Sequence, residues 1–249
     1  IVQTKGQSET NPGVAPNDEF AGFELWTKPV AGPGTVKVLP TNYVRNAFEN
    51  GLALEKSIGV NPFKYGVVGG GDIHTAIVSH EEFAFTGEHN LKSSTPHARL
   101  LEGVPGEPSK IEQGSAGLSC VWAEENTREA IYDAMARKET WATSGTRIVV
   151  RVFGGFDFGN AKPGDREWAR VGYRNGVPMG GDLKPDARKS APRLMIAASK
   201  DPNSGNLDRI QVIKGWVDAA GKTHDRIYDV AWSGNRKIGS DGKLPAVGN

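Results

Sequence analysis

Cysteine is nearly absent: Cys120 stands alone among 249 residues. One thiol forms no internal disulfide, so the fold has no covalent cross-link within the chain, and cysteine usage leaves the redox compartment open. Concentrated charge is also missing. Lys and Arg number 30 against 29 Asp and Glu, a net charge of +1, and the cations are scattered without a basic run. A sequence-independent grip on nucleic acid needs clustered positive charge, so the composition argues against that role. No apolar stretch approaches the ~18–20 residues of a membrane span. No signal peptide is visible. The chain opens on Ile1, in a stretch of strand character, and closes at Asn249 after a Gly-Lys-Leu-Pro turn. It reads as a piece of a longer protein, long enough for one large domain or two small ones.

The most informative stretch is KYGVVGGGDIHTAI, residues 64–77. A short apolar run, Tyr65 to Val68, bounded by glycine predicts a buried strand that stops abruptly. Gly69, Gly70 and Gly71 then supply backbone freedom, one use of which is close approach to a ligand. Asp72 and His74 follow, two residues apart. In an extended chain, side chains at i and i+2 project to the same side. A carboxylate and an imidazole leaving a strand end together match the oxygen and nitrogen donors of a divalent metal. A β-turn in which Asp72 caps backbone amides fits the same spacing, because D-x-H alone is a weak signal.

Upstream, IVQTKGQSE (1–9) reads as a strand running into a polar loop, with Lys5 and Glu9 near its exit. FAGFELW (20–26) reads as a second buried strand whose Glu24 must be paired to tolerate burial. Thr41 is a helix cap, and the apolar spacing of Tyr43, Val44, Phe48, Leu52 and Leu54 predicts a helix stopped by Gly59. Strand, strand, helix and strand in that order imply a parallel crossover, and sites in such folds sit at the carboxyl ends of strands. Lys5, Glu9, Asp72 and His74 all fall at strand exits.

Residues 78–118 show little periodicity and suggest a loop over the site, carrying His80, His89 and His97 at no compact ligand spacing. ENTREAIYDAMARKETWATSG (125–145) reads as a helix capped by Asn126 or Thr127. Beyond Arg147 the pattern turns to strands: RIVVRVFGGF, RLMIAASKDP, LDRIQVIKGWVDAAGK and DRIYDVAWSG, with DAAGK as a hairpin turn. That cadence predicts an antiparallel, sandwich-like domain over 146–249 following an α/β domain over 1–145. GVPMGGDL (176–183) is a glycine-rich turn with a carboxylate, whose functional reading is a loop reaching toward the site.

Several long stretches together resemble one family. QTKGQSE (3–9), PNDEFAGFELW (16–26), GVNPFKYGVVGGGDIHT (59–75), VWAEENTREAIYDAMARKETWATSGTRI (121–148), GVPMGGDL and LDRIQVIKGW (207–216) are similar to the central and C-terminal parts of bacterial proteins of the domain-of-unknown-function 3604 family, placed in the PHP (polymerase and histidinol phosphatase) superfamily.

The resemblance implies the C-terminal part, strands 5 to 7, of a distorted (β/α)7 barrel with divalent metals, Zn, Mn or Fe, at its strand ends. Two or three ions are implied for the complete protein. It matches Asp72 and His74 to the superfamily's last metal motif and Glu24 to the preceding strand. Where many relatives carry His-Pro, this chain has KGQSE, so Glu9 is the substitute ligand and Lys5 a holder of anionic substrate. The H-x-H motif that opens the superfamily's barrel is absent and belongs, under the resemblance, to a missing N-terminal segment. Without that segment, or another copy in a homo-oligomer, sheet edge and apolar helix faces stay uncovered. The activity implied is hydrolysis of a small-molecule ester, a phosphoester first and a sulfate ester or amide-type bond second, with Asp72 and His74 catalytic. A binding protein that has lost the metals is the alternative. Relatives with export signals imply a periplasmic or envelope location.

Overall fold

The computed structural model describes residues 1–27, 29, 34–74, 117–186, 191–241 and 243–245. At the N-terminus, β1 (Val2–Gln3) and β2 (Gly6–Gln7) form a minimal antiparallel hairpin, Val2 opposite Gln7. Gly6 has φ 92°, and a Cβ there would lie 2.3 Å from the carbonyl oxygen of Glu24. Only glycine permits that approach. The Gln7 amide donates to the same oxygen at 2.8 Å, so backbone contacts dock residues 20–26 onto the hairpin. That segment is a run of turns, not the expected buried strand. Phe20 and Phe23 are exposed, and Glu24 sits at φ 49° with its side chain in solvent. A left-handed residue in mid-run breaks the pleat that burial of Glu24 required.

A 3-10 turn (Pro40–Asn42) leads into α1 (Val44–Ile58). Gly59 stops the helix at φ 78°, as the sequence predicts. Thr41 lies in the preceding turn instead of capping it. The buried strand expected from Tyr65 to Val68 builds no ladder, and both of those residues are exposed. One isolated parallel bridge joins Gly69 to Val2, the Ile1 ammonium donates to Val68 O at 2.7 Å, and the Gly70 amide donates to Val2 O at 2.9 Å.

β3 (Leu118–Val121) and β4 (Thr140–Thr143) pair antiparallel, and α2 (Arg128–Ala136) spans between them. Thr127 caps α2, its hydroxyl accepting from the Ala130 amide at 3.3 Å. The helix expected over 125–145 ends nine residues short of that, at Ala136; Lys138 turns left-handed at φ 62°, and Thr140–Thr143 is strand.

The three-stranded sheet β6 (Gly176–Pro178), β5 (Val149–Gly155), β7 (Arg193–Ser199) is antiparallel throughout and holds the buried core of Phe153, Phe158 and Met195. Its cover is α3 (Trp168–Asn175). Trp168 and Tyr173 meet Phe153 edge-on, with ring centroids 5.6 and 4.9 Å away. A Cβ on Gly172 would fall 2.5 Å from the Phe153 ring, so glycine lets helix and sheet close on each other. The last pair, β8 (Arg209–Val217) and β9 (Thr223–Trp232), is a long hairpin turning at 218–222 as expected. It packs on α1, and Lys56 Nζ donates to Ala219 O at 2.7 Å.

The (β/α)7 barrel expected over 1–145 is therefore not formed. The described residues hold three α-helices and four small sheets, every ladder antiparallel and none closed. A barrel needs consecutive parallel ladders through helical crossovers, and here the crossover through α1 ends in a single bridge. Over 146–249, where a sandwich-like domain is expected, the sheets are antiparallel and each packs on a helix, β5 under α3 and the β8–β9 hairpin on α1. Among the described residues no helix is long and apolar enough to cross a membrane.

Candidate functional site

Gly69 to Gly71 carry the chain from the extended segment into Asp72 and His74. Both residues adopt left-handed backbone, φ 46° and 56°. For residues other than glycine this costs on the order of 1–3 kcal/mol each and concentrates at functional sites. The pleated geometry expected for i and i+2 is absent, yet the two side chains still converge. His74 Nε2 lies 2.8 Å from Asp72 Oδ1. An ionised carboxylate only accepts, so Nε2–H donates and the neutral ring carries its lone pair on Nδ1.

Lys5 completes the group from the β1–β2 turn. Its Nζ donates to Asp72 Oδ2 at 2.5 Å while its own side chain is mostly buried. That hydrogen bond, opposed by burial and aided by His74, holds the Asp72 carboxyl below the usual carboxylate range. The sequence-predicted residues Lys5, Asp72 and His74 are thus brought together: a cation, a carboxylate held ionised, and an oriented imidazole.

Glu9 goes elsewhere. Its Oε1 accepts from Arg45 Nη2 at 2.7 Å, and Asp18 Oδ2 accepts from the same nitrogen at 2.7 Å. Burial of Arg45 favours the neutral form, but the bonds and charges of Glu9 and Asp18 outweigh it and raise the guanidinium pKa. Glu24 offers its backbone carbonyl, not its carboxylate, to this region. Among the described residues no three His, Cys, Asp or Glu side chains gather where a metal ion could be held. His80, His89 and His97 lie outside the described residues. The GVPMGGDL turn reaches toward α1 and its exit: Asp182 pairs with Lys64 at 3.0 Å, and Gly180 packs on the Lys138 carbonyl.

Two constellations escaped the sequence reading. Arg45, in the first turn of α1, anchors Glu9 and Asp18 across 36 and 27 residues, a separation no local pattern reveals. At the β8–β9 turn, His224 Nε2 lies 2.8 Å from Asp218 Oδ2, and its ring stacks on Trp216 with centroids 5.3 Å apart. The pairing could have been found from the hairpin, which sets Trp216 opposite His224.

A family model described as "Protein of unknown function (DUF3604)" matches residues 1–249. No curated protein and no solved structure matches the chain.

Proposed function

We propose that this chain, which belongs to the DUF3604 family, is part of a divalent-metal-dependent hydrolase of small anionic esters, phosphoesters first and sulfate esters second. The observation that carries the reading is the convergence at 2.8 Å of Asp72 and His74, two left-handed non-glycine residues on either side of Ile73. A fold bears that strain where side-chain placement matters more than local stability. The likeness of D-x-H to the last metal motif of the PHP superfamily supports the same assignment. An oxygen and a nitrogen donor side by side fit part of a shell for Zn, Mn or Fe, and the resemblance assigns the further donors to an N-terminal segment.

Asp72 and His74 would hold the ion. When bound, it supplies Lewis acidity to the scissile ester and makes a water acidic enough to attack at neutral pH. The chain's own residues do the rest. Lys5 places an ammonium beside the site, where it neutralises the charge of an anionic substrate. Asp72 orients the His74 ring, whose second nitrogen either binds the ion or, where Asp72 holds it without His74, donates a proton to the leaving oxygen.

A second reading has one specific observation behind it. Lys5 already sets a cation on Asp72 at 2.5 Å, as a binding protein without metal would. Metal content separates the two. After incubation with Mn, Zn and Fe salts followed by gel filtration, the hydrolase reading expects stoichiometric metal in wild type, its loss in Asp72→Ala and His74→Ala, and chelator-sensitive release of phosphate or sulfate from aryl esters. Metal-free wild type with unchanged ligand retention in both variants contradicts it.

A further inference from the structure

The β8–β9 hairpin separates its charges by face. A Cβ on Gly215 would lie 3.8 Å from Leu52 and 4.0 Å from Glu49, so the face that carries Gly215 points at α1. Asp225 is opposite Gly215 and Asp229 opposite Gln211, which puts both carboxylates on that inner face. There the Gln211 amide donates to Asp229 at 2.9 Å. The outer face alternates with it and reads, rung by rung, Trp216 with His224, Lys214 with Arg226, and Val212 with Tyr228. Lys214, Arg226 and Tyr228 are exposed. Among the described residues neither cation has a carboxylate within ion-pair distance. Asp218, at the turn, is engaged by His224 at 2.8 Å.

Like charges directly opposite each other destabilise a sheet, so the Lys214–Arg226 rung carries a repulsion that an anion seated on it would relieve. Each cation rests on a ring instead of a carboxylate. Lys214 Nζ lies 5.4 Å from the Trp216 centroid, and the Arg226 guanidinium carbon lies 5.0 Å from that of Tyr228. A ring holds a cation in place without neutralising it, which leaves the N–H groups for an oxyanion. Single-stranded nucleic acid asks for open aromatic faces and a long basic track. Here the cations number two on the rung, and Trp216 is in contact with Lys214 and stacked on His224 at 5.3 Å. A sulfate ester offers one more acceptor oxygen than a peptide carboxylate, enough for the guanidinium fork and the ammonium together. The next rung, Val212 beside Tyr228 and its hydroxyl, suits the mixed C–H and O–H surface of a sugar. We infer that the outer face of the β8–β9 hairpin docks a sulfated polysaccharide, one sulfate ester bridging Lys214 and Arg226 with its sugar against Tyr228.

The probe is heparin, with desulfated heparin, polyglutamate and poly(dT) as contrasts at one fixed salt concentration. Titration calorimetry gives affinity, and thermal unfolding of the unliganded chain is followed alongside. Heparin is expected to bind, and more weakly as salt rises. Each contrast polymer is expected to bind at least about tenfold more weakly than heparin. Lys214→Gln combined with Arg226→Gln is expected to lower heparin affinity by at least about tenfold. The free double variant is expected to melt close to wild type, the relieved repulsion offsetting the lost ring contacts. Lys162→Gln combined with Arg166→Gln removes the same charge from exposed residues elsewhere and is expected to leave the affinity unchanged. Silence from heparin, a contrast polymer that binds as tightly, or a Lys214 and Arg226 double variant no weaker than the Lys162 and Arg166 one would overturn the inference. The inference does not rest on the metal reading: Asp72→Ala is expected to keep heparin binding, so each can fail without the other.

Discussion

The region around Phe153 and the region around Asp72 are built on opposite terms. In the first, a seven-residue strand pairs on both sides, α3 closes over it, and Phe153 is fully buried between Trp168, Tyr173 and Met195. Two indole donors tie it to the neighbouring sheet, Trp122 to Val150 O and Trp141 to Ile148 O, both at 2.9 Å. In the second, the strands are two residues long, Phe23, Tyr65 and Val68 remain exposed, and three non-glycine residues sit at positive φ. Three of the four such residues in the described chain are Glu24, Asp72 and His74. The comparison teaches that the Phe153 core supplies stability and the N-terminal region spends part of it on placing polar groups.

The sharpest way to break the comparison is to empty the core. Phe153→Ala is expected to cost about 3–5 kcal/mol in denaturant unfolding, by lost burial and the cavity left behind. An effect near zero would mean that the packed sheet is not where stability resides. Next comes the polar strut on the same core. Tyr173 donates to the Glu139 carboxylate, which is 1 % exposed, and accepts from Arg151 at 2.8 Å. Tyr173→Phe leaves Glu139 without that donor, Arg137 being no nearer than 3.6 Å, and is expected to cost about 1–3 kcal/mol.

A smaller effect, of opposite sign, belongs to Glu49 on α1. Burial and then the nearby Asp225 raise the Glu49 pKa. An acid with a raised folded pKa binds more protons folded than unfolded, so its contribution to stability falls as pH rises from the unfolded value of ~4.3 through the folded one. Glu49→Gln is therefore expected to gain up to about 1 kcal/mol at neutral pH, with the gain vanishing toward pH ~4. A loss at neutral pH would show that Glu49 is better paired than its setting indicates. Smallest of all, Phe23→Ala on the exposed N-terminal surface is expected to stay within about 0.5 kcal/mol.

What was legible in the sequence was local. Gly59 as a helix stop, Thr127 as a cap, DAAGK as a turn, and the β-formers of β5 and β7 each carry their signal within a few residues. What failed depended on distance. Thr-Trp-Ala-Thr shows no two-residue alternation, and the segment becomes a strand by pairing with Leu118–Val121. WARVGYRN hides a helix behind an arginine and a glycine, and that glycine is needed only because Phe153 lies beneath it. FAGFELW has a strand's composition, but its backbone turns left-handed at Glu24, where the carbonyl accepts the Gln7 amide. At the site, spacing foretold the meeting of Asp72 and His74 for the wrong reason: two left-handed residues, not a pleat, aim them at each other.

The central claim is that Asp72 and His74 keep a strained backbone because the pair holds an ion. The most direct measurement is the urea midpoint of wild type and His74→Gly with and without Mn²⁺. Glycine relieves the left-handed backbone, so the metal-free variant is expected to unfold at a higher urea concentration than metal-free wild type, while Mn²⁺ raises the midpoint of wild type alone. A variant that is less stable without metal, or that gains as much from Mn²⁺ as wild type does, would contradict it.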